Sequence, residues 1–205
     1  MGLEGVLLGA HADGVRNVLA VTGDPPHVGD YPGSRGVYEV DSIGLVQLLA
    51  GLNRGEDYVG KGLDAPTEFF VGVAVNPSAD DLDLELDRFR RKVDSGADFA
   101  MTQAIFDLEL LDRFVERLGD GWPIPVLLGV WPLRSSAMAL RLHNEIPGIS
   151  VPDRVLDTLR DAGPDAPAVG LELARTLVDE SRERVAGIYV IPPFKQPLGA
   201  LDLLG

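Results

Sequence analysis

Asn17-Val18-Leu19-Ala20-Val21-Thr22-Gly23-Asp24-Pro25-Pro26 is the stretch on which the fold turns. Asn17 to Val21 is a short apolar run bounded by Gly14 and Gly23. Such a run predicts a strand buried on both faces, as in a parallel sheet covered by helices. Thr22-Gly23-Asp24 then falls just past the strand's C-terminal end, where α/β folds place their chemical groups. Gly23 lets the backbone approach a ligand closely. Asp24 is a carboxylate held at the strand end by two stiff prolines. A carboxylate so placed stabilises a cation forming in a transition state, or tunes a cofactor's electronics. The competing reading is an Asx-type turn that merely closes the strand.

Outward from this stretch the alternation of strand and helix continues. Upstream, Leu3, Val6, Leu7 and Ala10 form a helical stripe. Downstream, Ser42 is placed to cap a helix with Leu45, Leu48, Leu49 and Leu52 on its apolar face. Phe69 to Val75 predicts a second strand. Asp80 to Asp94 predicts a helix with Leu82, Leu86, Phe89 and Val93 inward. Phe99-Ala100-Met101-Thr102 predicts a third strand. Asp107 and Gly119 delimit the next helix, and Ile124 to Val130 is a fourth strand. Helices follow around Ser136 to His143, Pro152 to Arg160 and Ala166 to Arg184, and Ile188 to Ile191 is the last strand. Five β units separated by helices imply a parallel sheet. Periodicity leaves two architectures open: a doubly wound sheet, or part of an eight-stranded barrel.

Composition removes several functional classes. The chain has 205 residues, 45% of them hydrophobic, enough for the core of one domain. Its formal net charge of −14 argues against a nucleic-acid surface, which needs clustered Lys and Arg. With no cysteine there is no disulfide, thiolate metal site or Cys nucleophile. His11, His27 and His143 lack metal-binding spacing, and no metal is expected. The first residues carry an acid and no basic region, so they do not resemble a signal peptide, and no uncharged run is long enough for a membrane span. The expectation is a soluble cytoplasmic protein.

Further candidates lie near other strand ends. Gln103 ends the third strand and offers two donors and an acceptor, suited to an amide-bearing ring such as a pterin or flavin; the alternative is a bond to loop backbone. Glu85 and Lys92 share one helix stripe. Such a lysine either reaches a cofactor diphosphate or is a solvated cation at a helix end. The acids Asp80, Asp81, Asp83, Glu85 and Asp87 lack the glycine and spacing of a calcium loop and suit a helix's first turns. His27 is a site candidate beside Asp24, with a solvated loop histidine as the alternative, whereas His11 and His143 are expected to be structural. Trp131 is placed to line a pocket and Trp122 to pack.

Asn17 to Pro26 resembles the fourth barrel strand of methylenetetrahydrofolate reductases. Arg91-Lys92-Val93-Asp94-Ser95-Gly96-Ala97-Asp98-Phe99-Ala100-Met101-Thr102-Gln103 resembles their helix leading into a Thr-Gln strand end. Gly129-Val130-Trp131-Pro132-Leu133 is similar to their Gly-Ile-x-Pro segment, and Asn144 to Pro152 to the stretch before the next helix. The resemblance implies a (β/α)8 TIM barrel that binds FAD and reduces methylenetetrahydrofolate to methyltetrahydrofolate with NADH or NADPH, in the one-carbon metabolism that feeds methionine synthesis. It implies that Asp24 is the catalytic aspartate beside flavin and pterin, and that Thr22 and Gly23 share its cofactor-binding turn. Gln103 then bonds the folate, Leu142 stands where some members place a phenylalanine against folate or nicotinamide, and Lys92 and Glu85 match flavin-contacting positions.

The chain also departs from the family pattern. Thr22-Gly23-Asp24 stands where many members have Arg-Gly-Asp, and Val75-Asn76-Pro77 where many have an aromatic and His-Pro. These forms resemble reductase halves fused to a homocysteine methyltransferase domain, which makes a fused or partner methyltransferase, or a homo-oligomer, an expected association. Counted from the Thr-Gly-Asp strand, residues 1–205 are expected to be a single, partial barrel domain holding strands four to eight. Roughly 90 residues, at about 30 per unit, would make up the other three units. The family's general acid, a glutamate on the first strand, would lie there.

Overall fold

The structure is a computed structural model that describes residues 2–26, 29–31, 33–192, 201 and 203. The chain order is α1 (Gly2–Ala12), β1 (Asn17–Ala20), α2 (Ser42–Asn53), β2 (Phe70–Val75), α3 (Leu82–Asp94), β3 (Phe99–Ala104), α4 (Leu108–Leu118), β4 (Val126–Val130), α5 (Ser136–Glu145), α6 (Asp153–Asp161), α7 (Ala166–Ser181) and β5 (Gly187–Val190). A short 3-10 turn, Gly163–Asp165, joins α6 to α7. The strands form a parallel sheet whose order is the chain order. That order has no reversal. A doubly wound sheet needs one, so the doubly wound alternative falls and the sequential winding of β/α barrels remains. Two compact units divide the chain, Met1–Ala74 with Asp87–Phe99, and Val75–Leu86 with Ala100–Gly205.

In the first unit, β1 pairs with β2 in the register Asn17↔Phe70 to Ala20↔Val73. Val46, Leu49 and Leu52 of α2, Val71 and Val73 of β2 and Phe89 of α3 are buried. Asp41, not Ser42, caps α2: its carboxylate accepts from Gly44 N at 2.8 Å. Ser42 is the first helical residue instead, and its N–H donates to Thr22 Oγ1 at 3.0 Å. The carboxamide of Asn53 ties the end of α2 to the entry of β2. Its Oδ1 accepts from Phe69 N and from Thr67 Oγ1, both at 2.8 Å, and its Nδ2 donates to Phe69 O at 2.7 Å. Asp98 pins β2 from the other side, its N–H donating to Val71 O and its carboxylate accepting from Val71 N.

β1 is not buried on both faces. Ala20 is fully buried, but Leu19 is 42% exposed and Val21 49%. An apolar run signals a strand, and whether a second layer covers both its faces is decided elsewhere in the fold. The stripe on α1 is likewise only partly used, since Leu7 is buried while Val6 and Leu3 are exposed.

In the second unit β3 pairs with β4, and β4 with β5. α4 begins and ends as its sequence requires: Asp107 accepts from Glu109 N at 3.0 Å, and Gly119 closes the helix at φ 98°. One apolar cluster gathers Leu133, Ala139, Leu142, Val151, Leu156 and Leu159. A second gathers Ile105, Leu111, Leu128, Val130 and Leu203. β3 runs two residues past the predicted end, to Ala104, with a bulge between Met101 and Ala104. Among the described residues no helix is long and apolar enough to cross a membrane.

Candidate functional site

After β1 the backbone turns at Gly23, with φ 83°. Among the described residues nothing stands within 4 Å of where a Cβ would be, a face that allows close approach. Thr22 is fixed by the bond from Ser42 N, and the Tyr38 hydroxyl donates to Asp24 O at 3.3 Å. The Asp24 residue itself is exposed. His27 lies outside the described residues.

Lys92 is not a solvated cation. It is 5% exposed, and its Nζ donates to Ala74 O at 2.7 Å. Glu85 likewise turns to backbone, its Oε1 accepting from Asn76 N at 2.9 Å. The stripe on α3 that carries both side chains therefore holds the C-terminal end of β2. The strand end is where the ladder stops supplying partners, and side chains satisfy the freed backbone groups there.

Gln103 is exposed, one residue beyond Thr102, which is buried at 2%. Its surroundings are built by backbone and hydroxyls. Thr102 Oγ1 donates to Gln103 O at 2.7 Å and accepts from Gly129 N at 2.9 Å. The hydroxyl of Tyr189 donates to Thr102 O at 2.6 Å. Burial raises the pKa of that hydroxyl. Sequence reasoning missed Tyr189. The available signal was Gly129, a glycine inside an apolar strand, which marks a place where another group comes close.

Leu142 is 5% exposed and packs in the apolar cluster with Ala139, Val151 and Leu156. Its side chain therefore has a packing role here. His11 accepts from Glu68 N at 3.0 Å and meets Phe69 edge-on; His143 accepts from Val151 N at 3.2 Å. Trp122 stacks on Phe114 and donates to Arg184 O. Trp131 lines a cavity of about 510 Å³ with Ile105, Val130, Leu173 and Leu177. At its rim Arg154 pairs with Asp107 and Arg184 with Asp112, and each hydrogen bond raises the arginine's pKa.

These features define a parallel α/β protein with sequential winding and polar groups placed after its strands. The sequence model of the family described as methylenetetrahydrofolate reductase matches residues 1–190, and the chain belongs to that family. It is 26% identical over 189 residues to methylenetetrahydrofolate reductase 1 of Schizosaccharomyces pombe, covering 90% of this chain and 29% of the relative. It is 26% identical over 218 residues to methylenetetrahydrofolate reductase 2 of Saccharomyces cerevisiae, covering 98% and 34%. It is 28% identical over 186 residues to the 5,10-methylenetetrahydrofolate reductase of Escherichia coli, covering 86% and 56%. The chain thus spans about a third to a half of the length of these relatives.

Proposed function

We propose that the chain forms part of a barrel that reduces 5,10-methylenetetrahydrofolate to 5-methyltetrahydrofolate, with FAD as cofactor and NADH or NADPH as reductant, in the one-carbon metabolism that feeds methionine synthesis. The observation that carries this reading is the family match over residues 1–190, with Thr22-Gly23-Asp24 standing after β1. The five strands are five of the eight such a barrel needs. The proton donor, by the resemblance, belongs to the first of the eight.

The residues fit the flavin unevenly. The open face at Gly23 suits the close approach of a flat ring, and Asp24 is accessible beside it. Lys92 is already committed to Ala74 O and buried, so its role is to hold β2 rather than to bind a diphosphate. Glu85 is committed in the same way to Asn76 N. Flavin, when bound, supplies the hydride. Asp24 stabilises the cation on the folate that accepts it, and Gln103 orients the folate through its amide. A carboxylate fixed before the reaction begins costs no reorganisation when charge develops, an effect often worth about 3 kcal/mol.

Asp24→Asn tests this reading, because it keeps shape and removes charge. In the enzyme with a complete barrel, folate reduction slows about a hundredfold while flavin reduction by NAD(P)H changes little, measured by stopped flow on the two half-reactions. Equal slowing of both halves refutes the role given to Asp24. A complete, well-folded protein that takes up no FAD refutes the flavin reading.

A further inference from the structure

We infer that Tyr189 is a positioning residue for Gln103, acting across β4 through the bulge in β3; this rests on the reading of Gln103 as the folate contact. Met101 pairs with Leu127 and Ala104 with Gly129, so three steps along β3 oppose two along β4. The extra residue is a bulge, where the ladder is locally interrupted and backbone groups need other partners. Burial alternates along the whole strand, with Ala100, Thr102 and Ala104 buried, so the irregularity lies in the pairing with β4 and not in which face each side chain takes. Within that alternation Thr102 is buried and Gln103 is exposed near the strand end, and the irregular pairing falls on the backbone of these two residues.

Three groups hold that irregularity. Thr102 Oγ1 bridges the two strands, donating to Gln103 O and accepting from Gly129 N. Ile105 N resumes the ladder on Gly129 O at 3.0 Å. The third group comes from the far side of β4. Tyr189 is the cross-strand partner of Gly129, and its hydroxyl passes over that residue to reach Thr102 O. The passage exists because residue 129 is a glycine. A Cβ there would lie 2.7 Å from Tyr189 Oη and 3.0 Å from Gln103 O. Glycine, tyrosine and bulge are therefore one arrangement, and the backbone it fixes is the one that carries the Gln103 side chain. Partial burial raises the pKa of the Tyr189 hydroxyl further above neutrality.

Tyr189→Phe removes the hydroxyl and keeps the ring over Gly129. In the full chain we expect amide exchange at Gly129 and Ile105 to quicken about tenfold, and the side-chain amide resonances of Gln103 to shift. Titration with 5-methyltetrahydrofolate should show affinity reduced about tenfold, with FAD affinity unchanged. In a Gln103→Ala background the same substitution should have no further effect on folate affinity, because the group being positioned is gone. A merely structural tyrosine would lower folate affinity equally in both backgrounds, and that result overturns the inference. So does Tyr189→Phe with unchanged exchange and unchanged Gln103 resonances. A wild-type chain that binds no 5-methyltetrahydrofolate refutes the folate reading of Gln103 instead; the exchange and resonance measurements, which need no ligand, still decide whether Tyr189 positions that side chain.

Discussion

Gly170→Ala sets two physical effects against each other, and the structure decides the sign. Gly170 lies within α7 and is buried. On helix propensity alone, alanine is the better residue by about 1 kcal/mol. A Cβ at that position, however, would sit 1.7 Å from Leu133 O and 2.8 Å from Leu133 C. Both are backbone atoms, so no rotamer change relieves the overlap. Leu133 is itself 3% exposed in the apolar cluster and follows Pro132, which stiffens the segment. Either α7 or the segment after β4 must retreat. Overpacking of a rigid contact costs roughly 3 kcal/mol, which leaves a net loss of about 2 kcal/mol after the propensity gain. For a domain of this size that is a fall of about 4 to 8 °C in Tm. Thermal and urea denaturation of the purified variant measure it. A variant as stable as the wild type, or more stable, shows that the approach of α7 to Leu133 is not as close as described.

Lys92→Met keeps the stem and removes the donor to Ala74 O; stability measured without flavin should drop by about 2 kcal/mol, and a variant that loses only FAD affinity would return Lys92 to the cofactor. Asn53→Ala removes three hydrogen bonds at the entry to β2 and should cost about 3 kcal/mol in urea denaturation; a loss below about 1 kcal/mol would mean that water replaces them without penalty. Asp41→Ala should lower stability by about 1 kcal/mol while Ser42→Ala leaves α2 capped, and the reverse ranking would restore Ser42 as the cap.

The helices and strands were legible because their signals are local. α4 shows why: an aspartate whose carboxylate meets the second backbone N–H, an amphipathic run, then a glycine at positive φ. Each of these is a property of neighbouring residues. β1 shows the limit. Its apolar run correctly announced a strand, but the exposure of Leu19 depends on what lies over it, and periodicity records only that the side chain is apolar. The cap of α2 was misplaced by one residue for a related reason. Asp41 and Ser42 are both good caps, and the choice was made by Thr22, which engages Ser42 N from outside the helix.

The candidate site divides along the same line. Asp24 and Gln103 could be picked out because being at a strand's C-terminal end follows from the strand alone. The tasks of Glu85 and Lys92 could not, because their partners are backbone groups of Asn76 and Ala74, and a backbone carbonyl or N–H leaves no mark in a sequence. Their polarity suggested a ligand; the bonds they make in the fold are to backbone around the end of β2. The same reasoning explains Tyr189. A tyrosine in a strand is ordinary, and so is a glycine. Only the register that sets Tyr189 against Gly129 turns the pair into a passage to Thr102. Register is a relation between strands far apart in the chain, so the residue that acts on Gln103 from β5 became visible only once the strands were paired.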